Sequence, residues 1–239
     1  MPRRKILIAL VAAAIGIFVT ISLGNWQTRR GDMKLALQAQ ADEAERAAAV
    51  TVEPSRASIE SIAVQLPRKV RLTGVFDPAG SVYLDNRTLD GVAGFYVITP
   101  LVIGEGPPMV LIDRGWMARD MTNRSVVAVP PPSTGRVSIE GLAVARPSML
   151  LELGDARERR VPGFWHNLDY SAYEQVTGRP VGRFVVRQSS DASDGLRREW
   201  PRPATGVEKH RGYAIQWYSL AALIALLTAW FGWKAWRKR

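Results

Sequence analysis

The chain has 239 residues, a formal net charge of +10 and no cysteine. The lack of cysteine excludes disulfides, thiolate-bound metals, iron–sulfur clusters and thiol redox chemistry. A nucleic-acid-binding protein carries a basic stripe on its folded part, whereas much of the excess charge here lies in two short terminal tails that contain no acid. We therefore expect no nucleic-acid partner. The charge pattern instead indicates a membrane protein.

The first apolar segment, residues 6–23, contains 18 residues without a charge. At about 1.5 Å per residue, such a helix just crosses a hydrocarbon core of roughly 30 Å. Residues 1–5 precede it as a basic tail with Arg3, Arg4 and Lys5. A cleaved signal peptide would have a shorter apolar run and a clear small-residue cleavage site, so we expect an uncleaved membrane anchor.

Residues 24–51 are rich in Ala, Gln, Glu and Arg and contain no proline. High helix propensity predicts that the first span continues outward as a helix. Between residues 66 and 188, short segments rich in β-branched and aromatic residues alternate with Gly-, Pro- and Asp-containing turns. This pattern predicts a mainly antiparallel β domain. Residues 168–176 predict a short helix capped by Asp169 or Ser171.

Residues 189–212 form a polar, Pro- and Gly-containing connector, and residues 213–233 provide a second segment of 21 residues without a charge. The basic tail 234–239 follows. Positive charge beside a span marks its cytoplasmic side, so we expect both termini in the cytoplasm and residues 24–212 outside it. The predicted fold is two transmembrane helices, a hairpin, flanking a mainly antiparallel β extracytoplasmic domain with one or two helices.

The chain starts directly with the first span and shows no Arg- and Ser-rich transit sequence. We therefore expect a multi-pass protein of the bacterial inner (cytoplasmic) membrane, with its main domain in the periplasm. Few residues suggest catalysis, because the sequence contains no Gly-x-Ser-x-Gly elbow, phosphate-binding glycine loop or His-x-x-x-His spacing. We therefore expect that the protein is not an enzyme. His166 stands beside Phe164 and Trp165, which favours a structural or surface residue over a ligand.

His210 lies three residues before the second span. On a helix, His210, Ala214, Trp217 and Ala221 share one face, and Tyr213 borders it. An imidazole at the membrane rim above aromatic side chains can be an axial haem ligand. The alternative is an interfacial anchor, since Trp and Tyr gather at bilayer interfaces for their shape alone.

The end of the first span has a similar pattern, in which Leu23, Trp26 or Gln27, and Arg30 fall on one helical face. Gln27 and Arg30 can donate hydrogen bonds to carboxylates such as haem propionates. Lipid phosphates are the alternative partners of Arg29 and Arg30.

Four segments, in this order, resemble the surfeit locus protein 1 family of cytochrome c oxidase assembly factors. Residues 23–29 (LGNWQTR) are similar to the family's Leu-Gly-x-Trp-Gln-x-x-Arg stretch, with the final Arg shifted within the run 28–30. Residues 74–76 and 94–101 resemble its strand region, and residues 110–116 (VLIDRGW) resemble its Asp/Asn-Arg-Gly-Trp motif. Residues 210–218 (HRGYAIQWY) are similar to its His-x-x-Tyr-Ala-x-x-Trp-Phe/Tyr block. The resemblance covers almost the whole chain.

The resemblance implies a non-enzymatic assembly factor for haem-copper (cytochrome c) oxidase. Such a protein binds haem a at the membrane rim and passes it to the oxidase's catalytic subunit. Its expected partners are that subunit, the lipid bilayer and haem a synthase. The implied cofactor-binding residues are His210 as axial ligand of the haem iron, then Tyr213, Trp217, Trp26, Gln27 and Arg30.

Two other functions remain as alternatives. A membrane-anchored scaffold for oxidase assembly would bind protein but no haem, and its aromatic residues would be anchors. A copper chaperone would need Cys or clustered Met ligands for Cu(I), but the six methionines are dispersed. The motif Asp113–Arg114–Gly115–Trp116 is interpreted as structural, because Gly permits a tight turn, the two charges can pair locally and Trp can pack.

Overall fold

The computed structural model describes residues 3–106, 108–120, 129–147, 163–200 and 206–237. They belong to two compact units. The first, Met1–Gln40 with Pro203–Arg239, is called the helix pair below, and the second, Ala41–Arg202, is called the β domain.

Two long helices form the helix pair. Helix α1 runs over Arg3–Arg46, of which the helix pair includes the part up to Gln40, and α4 runs over Val207–Trp236. Both are long and apolar enough to cross a membrane, and only 6% and 11% of their most apolar windows are buried. A core helix of a soluble protein would bury most of that surface. The exposed apolar side chains are those expected of helices that face lipid.

The contact between the two helices follows a repeat of three and four residues. On α1, the buried or half-buried positions include Thr20, Gly24, Gln27, Gly31 and Lys34. On α4, they are Val207, His210, Ala214, Trp217, Ala221, Ile224 and Thr228. This is the spacing of a coiled-coil seam. The helices run antiparallel, since a Cβ on Gly31 would face His210 while one on Gly16 would face Ile224.

In the described part of the β domain, eight strands build the sheet. They are β1 Val50–Thr51, β2 Arg68–Phe76, β3 Val82–Leu89, β4 Val92–Val102, β5 Met109–Ala118, β6 Arg136–Val144, β7 Phe164–Trp165 and β8 Val181–Gln188. Their order is β1-β2-β6-β8-β5-β4-β3-β7, with an additional pairing of β2 with β4. That pairing closes β2, β6, β8, β5 and β4 into a ring, a five-stranded barrel of the kind found in OB-folds.

Most strand pairs are antiparallel, and three are parallel: β1 with β2, β3 with β7 and β5 with β8. The helix α1 ends at Arg46, short of the predicted residue 51, because Val50 and Thr51 pair with Val70 and Arg71 as strand β1. β-Branched residues favour such extended pairing. Residues 136–144 form one continuous strand.

Two short helices complete the domain, α2 over Arg56–Ala63 and α3 over Tyr170–Thr177. Helix α3 is the short helix predicted from the sequence, and its N-cap is Asp169, whose carboxylate accepts a hydrogen bond from the Ala172 amide at 2.9 Å. Gly178 ends it with a φ of 68°, a left-handed conformation that glycine adopts at little cost.

The core of the β domain has two large clusters of buried side chains. One packs Ile59 and Ile62 of α2 against the sheet. The other packs Tyr170 and Tyr173 of α3 against the sheet, and the Tyr173 hydroxyl donates to the Gly80 carbonyl at 2.7 Å. The predicted fold class is therefore confirmed: two long apolar helices flank, in sequence, a mostly antiparallel β domain with short helices.

Candidate functional site

His210 lies in the first turn of α4, within the seam of the helix pair. Its Nδ1 atom is 2.7 Å from the Oε1 atom of Gln27 on α1. The imidazole is half-buried, and no described residue forms a hydrogen bond with its Nε2 atom. The Nδ1 edge of the imidazole is therefore held by the partner helix, and Nε2 remains available to a ligand.

Glycines on α1 make room for the side chains of α4. A Cβ on Gly31 would lie 3.5 Å from the Cβ of His210, so this position accepts the histidine in ordinary contact. A Cβ on Gly24 would lie 2.5 Å from the ring of Tyr218. Only glycine fits there. The close approach lets the Tyr218 hydroxyl donate to Asn25 Oδ1 at 2.8 Å.

Sequence reasoning missed the structural roles of Gly24, Asn25 and Tyr218, although all three lie in the motifs quoted above. The sequence feature that could have predicted these roles is their position in two motifs, each at the end of a membrane span. An antiparallel hairpin brings those ends together. The two motifs thus form one structure, with two contacts across the same seam.

Three further predicted residues share one flank of the seam. The hydrogen bond between Tyr218 and Asn25 lies on the other flank. At 100° per residue, Tyr213 on α4 and Trp26 and Arg30 on α1 fall on the opposite flank. Tyr213 is 54% exposed and Trp26 is 56% exposed, and Arg30 is exposed as well. The structure therefore brings a half-buried imidazole, two open aromatic rings and a cation to one side of the helix pair.

Trp217 differs from these residues. It lies in the seam with Ala214 and Ala221, which are 5% and 6% exposed, and it is half-buried. The helical face that the sequence indicated is therefore the face that packs against α1. Arg211 is exposed and pairs with Glu208 at 3.6 Å on its own helix.

The Asp113–Trp116 motif is buried in strand β5 of the β domain. Arg114 Nη2 is 3.0 Å from Asp194 Oδ2, and both side chains are less than a tenth exposed. The Trp116 indole donates to the Arg87 carbonyl at 2.8 Å. Gly115 has a φ of 143° and lies close to the Arg197 carbonyl. These contacts support the structural interpretation of the motif, but the expected local pair is wrong, because Arg114 pairs with Asp194 and not with Asp113.

Asp113, which precedes Arg114 in β5, is almost completely buried as well. Burial raises the pKa of its carboxyl group to about 8, while the positive charges of Arg187 and Arg87 act in the opposite direction. Desolvation disfavours the charged form of a carboxyl group. Asp113 is therefore a buried titratable group of the β domain, whereas the residues on the open flank of the helix pair are exposed.

A family model of the SURF1 family matches residues 14–222. The chain belongs to the SURF1 family. It is 25% identical to "Surfeit locus protein 1" of Arabidopsis thaliana over 87% of this chain and 73% of that protein. It is also 25% identical to "Surfeit locus protein 1" of Homo sapiens, over 87% and 72% of the two chains. A "SURF1-like protein" of Dictyostelium discoideum is 32% identical over 108 residues, 42% of this chain and 39% of that protein.

The resemblance found in the motifs is thus confirmed, and the SURF1 match includes both the seam of the helix pair and the β domain. The other histidine, His166, is exposed, and its carbonyl accepts a 2.7 Å hydrogen bond from Arg87. It uses its backbone and not its imidazole, as expected of a surface residue.

The described residues contain no group of three or more His, Cys, Asp or Glu side chains that could hold a metal ion. Haem has other requirements. Its porphyrin supplies four nitrogens, and the protein adds one or two axial ligands. In the described part of this SURF1 chain, His210 is the imidazole whose surroundings meet that need.

Proposed function

We propose that this SURF1-family protein is an assembly factor for haem-copper (cytochrome c) oxidase that binds haem a and hands it to the catalytic subunit. The observation that supports this most directly is the environment of His210. Its Nδ1 atom is engaged by Gln27, and the exposed Tyr213 and Trp26 lie on one flank of the seam that contains it. A half-buried histidine anchored on one side is suited to coordinate iron with the other nitrogen.

The residues on the flank match the chemistry of haem a. His210 would hold the iron, and Trp26 and Tyr213 would contact the apolar ring, since aromatic side chains contribute large apolar surfaces. Arg30 would meet the propionates through charge-assisted hydrogen bonds. Trp217 would support the site from within the seam. When bound, haem a is cargo for delivery, and this protein does no chemistry on it.

The location at the membrane rim separates the two ends of the cofactor by polarity. Above the rim, propionates remain near water and cations, while the apolar ring and tail meet aromatic side chains and lipid. Each end then avoids the cost of an unfavourable solvent. A single protein ligand also suits a site that must release its cargo.

The same proposal includes the bacterial inner membrane, with both termini in the cytoplasm and the β domain in the periplasm. The antiparallel helices support this topology, because the start of α1 and the end of α4 lie at the same end of the pair. Haem a synthase would supply the cargo, and the oxidase's catalytic subunit would accept it.

The optical spectrum of protein purified from haem-a-producing cells tests the proposal. We expect Soret and α bands in the wild-type protein, and we expect His210→Ala to remove them while the protein remains inserted at its normal level. His166→Ala is the matched control and should retain both bands. A His210→Ala variant with a full complement of haem and an unshifted spectrum would contradict the proposal and favour the scaffold that binds no haem.

Deletion of the gene provides a second test. Assembled oxidase should fall while total haem a in the membrane persists, because the protein delivers the cofactor and does not make it. If the deletion strain lost all haem a, the protein would belong to synthesis instead of delivery.

A further inference from the structure

The contact between His210 and Gln27 determines which nitrogen of the imidazole carries the proton. A neutral imidazole has one N–H donor and one acceptor nitrogen. The Oε1 atom of Gln27, 2.7 Å from Nδ1, is a carbonyl oxygen and can only accept. With the amide in this orientation, the contact favours a neutral His210 that carries its proton on Nδ1 and its lone pair on Nε2.

The surroundings of Gln27 keep it in this position. It lies in the seam between Gly24 and Gly31, two residues without side chains. One helical turn before and after Gln27, the missing side chains of α1 leave space for those of α4, and Tyr218 and His210 approach closely there. The Gln27 side chain extends across the seam to His210.

We infer that Gln27 is a positioning residue that holds His210 in the Nδ1–H tautomer and presents Nε2 to the haem iron. This inference rests on the proposed function. A histidine ligand commonly donates its second N–H to a carboxylate, a carbonyl or water, and that partner sets ring orientation and ligand strength.

Gln27 offers a neutral acceptor where many haem proteins have a carboxylate. A carboxylate would draw the Nδ1 proton more strongly and would make the imidazole a stronger donor to iron. A neutral amide orients the ring with less effect on its strength. Gln27 thereby sets an intermediate affinity, tight enough for capture and weak enough for transfer.

The first experiment needs no haem. Nitrogen NMR of the haem-free protein, labelled with ¹⁵N-histidine, reports the tautomer of each imidazole, and the chain has only two histidines. His166→Gln leaves His210 as the single signal. We expect the Nδ1–H tautomer in this background and a mixture of tautomers after Gln27→Leu. A wild-type His210 protonated on Nε2 would overturn the inference.

The second experiment measures transfer of haem a from the loaded protein to excess apomyoglobin. Gln27→Leu should accelerate release about tenfold, within the usual effect of removing a partner of a metal ligand. Gln27→Glu keeps the acceptor, so it should preserve the Nδ1–H tautomer, slow release and lower the midpoint potential of the haem. Gln40→Leu, the same change at an exposed position of α1, should match the wild type.

The two measurements separate failure of the inference from failure of the function. If the wild-type protein binds no haem a, the proposed function fails, and the tautomer still decides the role of Gln27. If haem binds through His210 but Gln27→Leu changes neither the tautomer nor the release rate, the inference fails and the function stands.

Discussion

The helix pair and the β domain use their polar residues in opposite ways. On the helix pair, His210 and Tyr218 each have one neutral partner across the seam and remain partly open to the surroundings. In the β domain, Asp113 and Arg114 are 1% and 2% exposed. A residue that must meet a ligand needs an open side, whereas a buried charge contributes to the fold. The comparison teaches that two motifs of similar prominence in one sequence have different surroundings: one is built into the core of the β domain, and the other keeps the open side that the proposed haem site needs.

The largest effect expected is that of Arg114→Ala. Asp194 keeps Arg198 at 2.7 Å, but it loses the hydrogen bond from Arg114, and a hydrogen bond to a charged group typically contributes about 1.5–3 kcal/mol of folding free energy. Truncation of the fully buried Arg114 side chain also removes its packing. Hydrogen exchange of the β5 and β8 amides should show the loss, while the haem spectrum of the surviving protein should not change. Arg183→Ala breaks an exposed pair with Glu174 and should cost less than about 1 kcal/mol. A stable Arg114→Ala variant that fails to bind haem would break the comparison.

The fold class could be predicted from the sequence, because spans, helix caps and turns leave local signals. Apolar length marked both helices, and Asp169 marked the start of α3. The ring closure of the sheet could not be predicted, since the pairing of Val75 with Val102 and the parallel pairing of β5 with β8 join segments that share no local pattern. Pairings between distant strands depend on the whole domain.

The candidate site was predictable as a set of residues but not as an arrangement. Helical periodicity placed His210 and Trp217 on one face of α4, and it placed Gln27 near a face of α1. It could not show that these faces meet each other, because the register between two helices depends on side-chain packing along the whole seam. The bond between His210 and Gln27 therefore appears only in the structure.

A smaller effect is expected from Gly24→Ala, which tests the packing of the helix pair. The added methyl group would lie 2.5 Å from the Tyr218 ring, and such overpacking typically costs about 1–3 kcal/mol. This exceeds the roughly 1 kcal/mol that Ala gains over Gly in a helix. The chain has no native cysteine, so the disulfide yield of a Gly16→Cys, Ile224→Cys pair can report the contact.

We expect Gly24→Ala to lower that yield several-fold. Gly212→Ala is the control, because a Cβ there meets nothing within 4 Å. An unchanged yield in Gly24→Ala would mean that close approach of the helices does not depend on this glycine.

The pH dependence of stability tests the buried carboxyl group of the β domain. The folded-state pKa of Asp113, about 8, lies above the ordinary value of about 3.9. Its contribution is fully present below pH 4 and is lost as the pH rises to about 8, with a slope of up to about 1.4 kcal/mol per pH unit. Asp113→Asn should flatten this slope in Tm measured from pH 4 to 8. The exposed control Asp169→Asn should retain it, and an unchanged slope in Asp113→Asn would remove Asp113 as the cause.

The smallest effect expected is that of Trp26→Leu on the open flank. Loss of one aromatic contact is worth about 0.5–1.5 kcal/mol beyond buried area, so haem a should bind about two- to tenfold more weakly at unchanged protein stability. Trp236→Leu, at the far end of α4, should bind normally. If Trp26→Leu instead destabilised the protein and left haem affinity intact, the flank would serve the fold as the β domain motif does.

The antiparallel helix pair has a consequence for the timing of biogenesis. Gln27 and His210 are 183 positions apart in the chain, with the entire β domain between them. At roughly 5–20 residues per second of synthesis, His210 emerges about 10–40 s after Gln27. The contact that completes the site therefore forms last, when the intervening domain has been made and the second helix has inserted. A chain that ends before His210 lacks this contact, so the proposed uptake of haem a would be confined to the finished molecule.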